Sequence, residues 1–301
     1  NIAHWTGEAG GAREALQLLQ ALLPDQVRLL GPDHPDSLAA RADFARWTGE
    51  AGDASESLRL FQALLPDWER LLGPDHPHTL AARTHVAHWT GWAGDASEAL
   101  RLFQALLPDQ VRLLGPDHPH TLAARTHVAH WTGEAGDARE ALALYQGLLP
   151  DQEQLLGPDH PHTLNTRADV ARWTGRAGDA REALALYQGL LPDQEQRLGA
   201  DHPDPLTTRA NIAHWTGEAG GAREALQLLQ ALLPDQVRLL GPDHPDSLAA
   251  RAGFARWTGE AGDASESLRL FQALLPDWER LLGPDHVGGP HSCCSLDRLG
   301  W

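Results

Sequence analysis

The sequence predicts an all-α fold, a solenoid of about seven helix pairs, and three observations predict it. Tryptophan recurs at Trp5, Trp47, Trp89, Trp131, Trp173, Trp215 and Trp257, always 42 residues apart. The stretch Gly-Pro-Asp-His-Pro recurs in the same register, beginning at Gly31, Gly73, Gly115, Gly157 and Gly241, with Gly-Ala-Asp-His-Pro at Gly199. Between these marks the apolar residues keep the spacing of one helix face. A period of this size marks an array whose units must stack, because a lone helix pair cannot bury its own apolar stripe.

Each repeat is expected to hold two helices. Helix A runs over Asp36–Thr48, after Pro35, with Leu38, Ala42, Phe44 and Ala45 on its apolar side. Gly49-Glu50-Ala51-Gly52-Asp53 reads as a turn, with Asp53 placed to cap the second helix. Helix B covers Ala54–Leu72, its apolar face made of Leu58, Phe61, Leu64, Leu65, Trp68 and Leu71. Gly73, with prolines at 74 and 77, then stops it. Leu-Leu-Pro-Asp inside helix B resists this scheme, at Pro24, Pro66, Pro108, Pro150, Pro192, Pro234 and Pro276. An interior proline costs about 3 kcal/mol against alanine. A kinked helix B is expected; the alternative is a break, with Pro66 opening a separate short helix. The pairs fall at roughly 36–72, 78–114, 120–156, 162–198, 204–240 and 246–282, with a truncated first pair at 1–30, in a solenoid spanning 1–286. Residues 287–301 match no part of the repeat and read as a disordered tail.

Composition excludes several functions. A net charge of −17 and a pI near 5.3 make nucleic acid and anionic membrane poor partners. All 24 basic residues are arginine, which removes phosphate-loop and Schiff-base lysines together. No run of about 18 apolar residues is present to span a bilayer. The two cysteines, Cys293 and Cys294, are adjacent and build no disulfide framework, so a cytoplasmic location is expected. Asn1–Pro35 matches Asn211–Pro245, so the chain opens inside a repeat and reads as a piece of a longer array. Residues 1–76 match 211–286 at every position except Asp43, which becomes Gly253.

The Leu72-Gly73-Pro74-Asp75-His76-Pro77 junction, the Gly52 turn and the Glu98-Ala99 pair early in helix B carry a resemblance. The repeat resembles the 42-residue tetratricopeptide (TPR) repeats of kinesin light chain and of actinobacterial arrays, over about 286 residues. The resemblance implies a right-handed superhelix whose helix A lines a concave, peptide-holding groove. Two departures stand out: Arg41, Arg83, Arg125, Arg167, Arg209 and Arg251 replace a large apolar residue early in helix A, and Thr48 and its equivalents replace a late aromatic.

Two helix-A positions vary while their surroundings do not. One holds Asn1, Asp43, His85, His127, Asp169, Asn211 and Gly253; three residues on lie His4, Arg46, His88, His130, Arg172, His214 and Arg256. That spacing puts each pair on one helix face. The first position is similar to an asparagine of kinesin light chain that grips the ligand backbone. The peptide-groove candidates are therefore Asp43, Arg46, His85, His88, His127, His130, Asp169, Arg172, Asn211 and His214, set against a merely solvated face. His85, His88, His127 and His130, with His78 and His120 two turns upstream, could also share Zn²⁺ or Ni²⁺, or titrate together near pH 6.5. Uncoordinated surface histidines are the plainer reading, so no metal or cofactor is assigned.

His34, His76, His118, His160, His202 and His244 recur too regularly for catalysis and are assigned to bonding backbone groups at the helix boundary. The Arg41 column is assigned to inter-helix ion pairs with acids such as Glu56 or Asp67, and the Trp47 column to core or groove wall. No phosphate loop, nucleophile elbow, His-Glu-x-x-His or spaced Cys-His set is present. Near-copies of one unit also suit catalysis badly, since an active site needs one unlike set of residues. The expected function is a non-catalytic scaffold binding a protein or peptide in the helix-A groove. The alternatives are the sensor arm of a larger signalling ATPase and a head-to-tail filament self-associating through its repeat ends.

Overall fold

In the computed structural model, Thr6 and residues 11–282 are described. The expectations for the first half-repeat and for the 287–301 tail fall mostly or wholly outside these residues. Every regular element among the described residues is a helix. In order these are α1 (Ala12–Leu30), α2 (Pro35–Glu50), α3 (Ala54–Leu72), α4 (Pro77–Trp92), α5 (Ala96–Leu114), α6 (Pro119–Glu134) and α7 (Ala138–Leu156). They continue as α8 (Pro161–Arg176), α9 (Ala180–Leu198), α10 (Pro203–Glu218), α11 (Ala222–Leu240), α12 (Pro245–Glu260) and α13 (Ala264–Leu282). Even-numbered helices are helix A of a repeat and odd-numbered ones helix B. The chain divides into two bodies, 1–151 and 152–301, with the boundary inside α7. Within each body consecutive helices pack against one another, as in a TPR-type solenoid.

The junction works through one glycine, one proline and one histidine. Gly73 adopts φ +87° and donates its N–H to the Glu69 carbonyl at 3.0 Å, closing α3. Pro77 then occupies the first helical position, where a missing N–H costs nothing. The next free N–H, of His78, is donated to Nδ1 of His76 at 3.2 Å. The same cap, at the same distance, is made by His34, His118, His160, His202 and His244. An accepting Nδ1 carries no proton, so each ring is the Nε2–H tautomer. Helix B is capped by Asp53, whose Oδ1 accepts the Glu56 N–H at 2.9 Å, and equivalently by Asp95, Asp137, Asp179 and Asp263. Gly11 and Gly221 stand in its place at α1 and α11, without a side-chain cap.

Two local expectations need correction, and one alternative falls. Helix A does not end at Thr48: α2 continues to Glu50, and Gly49 lies inside it. Gly49 is there for a tertiary reason, because a Cβ at this position would overlap the Trp89 ring of the next repeat. Gly91 receives Trp131 in the same way, and in the C-terminal body Gly175 receives Trp215 and Gly217 receives Trp257. Of the two readings of helix B the break is excluded: α3 runs unbroken through Pro66, and each equivalent helix does likewise. Pro66 and Gln62, whose carbonyl loses its partner, are both solvent-exposed, so water replaces the missing bond. Leu71 lies off the apolar face, 38% exposed.

Within each body the core of a repeat is closed by helix A of the following one. In the N-terminal body Ala45 and Phe61 pack with Trp89, and Ala87, Ala99 and Phe103 with Trp131. In the C-terminal body Ala171, Ala183 and Tyr187 pack with Trp215, and Ala213, Ala225 and Leu229 with Trp257. The Trp47 column is therefore core; every member from Trp47 to Trp257 is buried. Helix-A arginines bridge to helix B: Arg41 to Asp67 at 2.9 Å, Arg125 to Asp151 at 2.7 Å, Arg167 to Asp193 at 2.8 Å and Arg251 to Asp277 at 3.0 Å. Arg83 and Arg209 reach back to Glu69 and Glu195 of the preceding helix B, at 2.8 and 2.6 Å. Glu56 is engaged by Arg59 on its own helix instead.

Candidate functional site

Among the described residues the varied positions of helix A lie beside the buried tryptophans, all but the exposed Arg256 half-buried or buried. In the N-terminal body they form a diagonal series. His85 stacks on Phe61 of α3, with centroids 4.6 Å apart and planes 14° from parallel, and His127 stacks on Phe103 of α5 at 4.7 Å and 20°. His88 meets His127 edge to face at 5.8 Å and sits edge-on against Trp89 at 4.8 Å. Arg46 lies 4.1 Å above Trp47, close enough to His85 to act on its charge. The second position of one repeat thus faces the first position of the next. His130 packs edge-on against Trp131 at 4.7 Å, and Asp43 is half-buried beside this series.

Burial sets the protonation of these rings. Desolvation, with help from Arg46 and His127, lowers His85 to about 4. His88 falls to about 4 through desolvation and its two histidine neighbours, and His127 to about 4 through desolvation. A joint titration near pH 6.5 is therefore overturned: the three rings are neutral throughout the physiological range. Nor do His78 and His120 join them. Each packs against its own junction histidine at 5.2 Å, and His78 also against Trp68. Among the described residues no three metal-ligating side chains come together. Neutral imidazole offers one donor and one acceptor. Among the described residues the ring nitrogens of His85, His88 and His127 make no hydrogen bond and are not sealed from solvent.

The C-terminal body presents different chemistry. Asp169 and Arg172 form a half-buried ion pair at 3.0 Å on α8. Arg172 and Arg176 lie 4.9 and 5.1 Å over Trp173. On α12, Arg256 covers Trp257 at 4.5 Å and pairs with Glu218 of α10 at 2.6 Å. His214 is buried between Trp215 and Trp257, at 4.7 and 6.2 Å, and desolvation lowers it to about 4. Gly253 leaves the first position of α12 without a side chain, and Asn211 is half-buried on α10. Beneath this face burial raises the Tyr187 hydroxyl well above its ordinary value.

One exposed residue escaped the sequence reading. Trp92 closes α4 at 44% exposure, 6.1 Å from His88 and 6.3 Å from Trp131. Its equivalents are Glu50, Glu134, Arg176, Glu218 and Glu260, so the available signal was one aromatic in a column of charges.

Comparison with known proteins places this architecture. Tetratricopeptide-repeat profiles match residues 1–36, 37–78, 79–120, 123–196, 206–246 and 247–288. No curated protein matches the sequence. Among solved structures, a kinesin light chain of Podosopora anserina with nearly identical TPR-like repeats is 25% identical, over 68% of this chain and 97% of that one, with a TM-score of 0.55. NprR in complex with its cognate peptide NprX is 13% identical over 86% of this chain and 69% of that one, TM-score 0.62. A signal transduction ATPase with a tetratricopeptide repeat sensor, from Pyrococcus horikoshii, is 13% identical over 99% of this chain and 42% of that one, TM-score 0.59. The last two likenesses concern the fold alone. No described helix is long and apolar enough to cross a membrane. With repeat profiles spanning most of its length, the chain belongs to the tetratricopeptide repeat family.

Proposed function

We propose that the chain is a non-catalytic, cytoplasmic interaction scaffold whose helix-A face binds an extended segment of a partner protein. The observation that carries this reading is the set of three neutral imidazoles, His85, His88 and His127, half-buried yet without an internal hydrogen bond. A polar group in that condition is poorly hydrated and gains from a partner. A peptide backbone supplies both an N–H and a C=O at every residue, which suits a ring bearing one acceptor and one donor. The diagonal order of the rings spaces these groups along a line rather than around a point, as an extended ligand requires. Other TPR-type structures include NprR held with its cognate peptide, which is in keeping with this use of the fold.

The test is a random dodecapeptide library displayed against the immobilised chain. Enriched peptides should bind His85→Ala/His127→Ala at least ~10-fold more weakly, a loss of about 1.4 kcal/mol. Arg59→Ala/Arg101→Ala, on the exposed outer side of α3 and α5, should leave their affinity unchanged. Peptides indifferent to the histidine pair would sink the assignment.

A further inference from the structure

We infer that Phe61 and Phe103, buried on helix B, are the positioning residues of the histidine site. They hold the rings of His85 and His127 so that the nitrogens meet a ligand backbone in one set direction; this deepens the peptide-binding reading of the helix-A face and rests on it. Each phenylalanine lies almost flat against its histidine, with centroids 4.6 and 4.7 Å apart and planes 14° and 20° from parallel. An imidazole carries its nitrogens on its edge, in the plane of the ring. Parallel contact therefore occupies the ring's face and leaves both nitrogens open to a ligand. It also keeps the ring from turning about χ2, a torsion with only a broad preference of its own.

Core packing alone does not call for this ring. The helix-B position 24 residues ahead of the first varied position holds Leu19, Phe61, Phe103, Tyr145, Tyr187 and Leu229. All six are buried, Leu229 at 0% exposure as fully as Phe103. A leucine thus fills the position as completely, and the two side chains gain comparably from burial. Leucine stands there ahead of Asp43 and Gly253, phenylalanine ahead of both histidines. What phenylalanine adds is a flat face, which only a planar group above it can use.

The two histidines are not held alike. His88 meets His127 edge to face at 5.8 Å, so His127 is gripped from a second side. Among the described residues Phe61 is the one aromatic ring against His85. His85 therefore reports on its phenylalanine without a second ring to mask the effect. Released from Phe61, it would have to be ordered by the ligand itself, and that ordering weakens binding.

The test uses the full chain, the dodecapeptides enriched on it, and Phe61→Leu, a side chain the same position buries at Leu19 and Leu229. In proton NMR the His85 ring protons, shielded by Phe61 in the wild type, should move downfield in Phe61→Leu and stay close to their places in Phe61→Tyr. Peptide affinity should fall about 2- to 10-fold in Phe61→Leu, the range for ordering one freed side chain, and return to within about 2-fold of wild type in Phe61→Tyr. In a His85→Ala background Phe61→Leu should leave affinity unchanged, because a positioning residue acts only through the ring it holds. Unchanged affinity in Phe61→Leu alone, an equal loss in both backgrounds, or His85 shifts that ignore Phe61→Leu would overturn this inference and leave the groove reading standing. A library without binders, or peptides indifferent to His85 and His127, would overturn both.

Discussion

The same scaffold carries two unlike surfaces. On α4 and α6 the varied helix-A positions are neutral and aromatic: His85, His88 and His127, with Trp92 at the rim. On α8 both are charged and on α12 one is, Gly253 leaving the other bare, and the charges are internally satisfied through Asp169–Arg172 and Arg256–Glu218. Beneath both lie the same buried tryptophans, the same histidine caps and the same arginine bridges to helix B. Residues that repeat hold the repeats together, and residues that vary set the chemistry beside the tryptophans. Two regions can therefore share a fold while offering a ligand quite different chemistry.

The sharpest way to separate the two bodies is by pH. A histidine in the unfolded chain titrates near 6.5, whereas His85, His88 and His127 in one body and His214 in the other fall to about 4. As pH drops through 6.5 the unfolded chain binds protons that the folded one does not. Stability present above 6.5 is thus lost progressively down to about 4. Each buried ring contributes on the order of 1–3 kcal/mol over that window. The urea midpoint should fall between pH 7 and pH 5, and His85→Gln/His88→Gln/His127→Gln should flatten that fall far more than His214→Gln. Equal slopes in the two variants would contradict the burial argument.

A second set tests whether the scaffold is shared. Gly91→Ala and Gly217→Ala, one per body, should each destabilise by about 1–3 kcal/mol in chemical unfolding, since a methyl must displace an indole. Gly147→Ala, inside α7 with open space around it, should instead stabilise by about 0.5–1 kcal/mol. A socket glycine that behaved like Gly147 would remove the tertiary explanation. Smaller still, His76→Ala and His202→Ala should each cost about 1 kcal/mol through loss of a cap, and by equal amounts. Arg112→Ala, which ends an exposed pair with Asp75, should leave the thermal midpoint unmoved within error.

Periodicity made the helix pairs and their junctions readable in advance, because those features depend on neighbours within a turn or two. What escaped depends on residues 24 to 40 positions away. Gly49 looked like a turn because glycine disfavours helices locally; the ring that needs its bare backbone belongs to Trp89. His85 and His127 looked like a titrating pair because their spacing says nothing of Phe61 and Phe103 beneath them. Pro66 left a break open as an alternative because the wet side of helix B is set only when the helices pack. Trp92 was hidden among the regular tryptophans, although the charged residues at its equivalent positions set it apart.

The tryptophan socket also bears on how such a chain changes over generations. One repeat supplies the glycine and the next supplies the indole, so each such junction is made from the same two complementary halves. Inserting or deleting a whole 42-residue cassette joins one standard half to another and orphans neither. The near-identity of residues 1–76 and 211–286, broken only at Asp43 and Gly253, has the form such copying leaves. That one difference falls at a varied helix-A position rather than in a socket. The length of the array and the character of its surface can thus drift by separate routes, one by recombination of cassettes and the other by single codons.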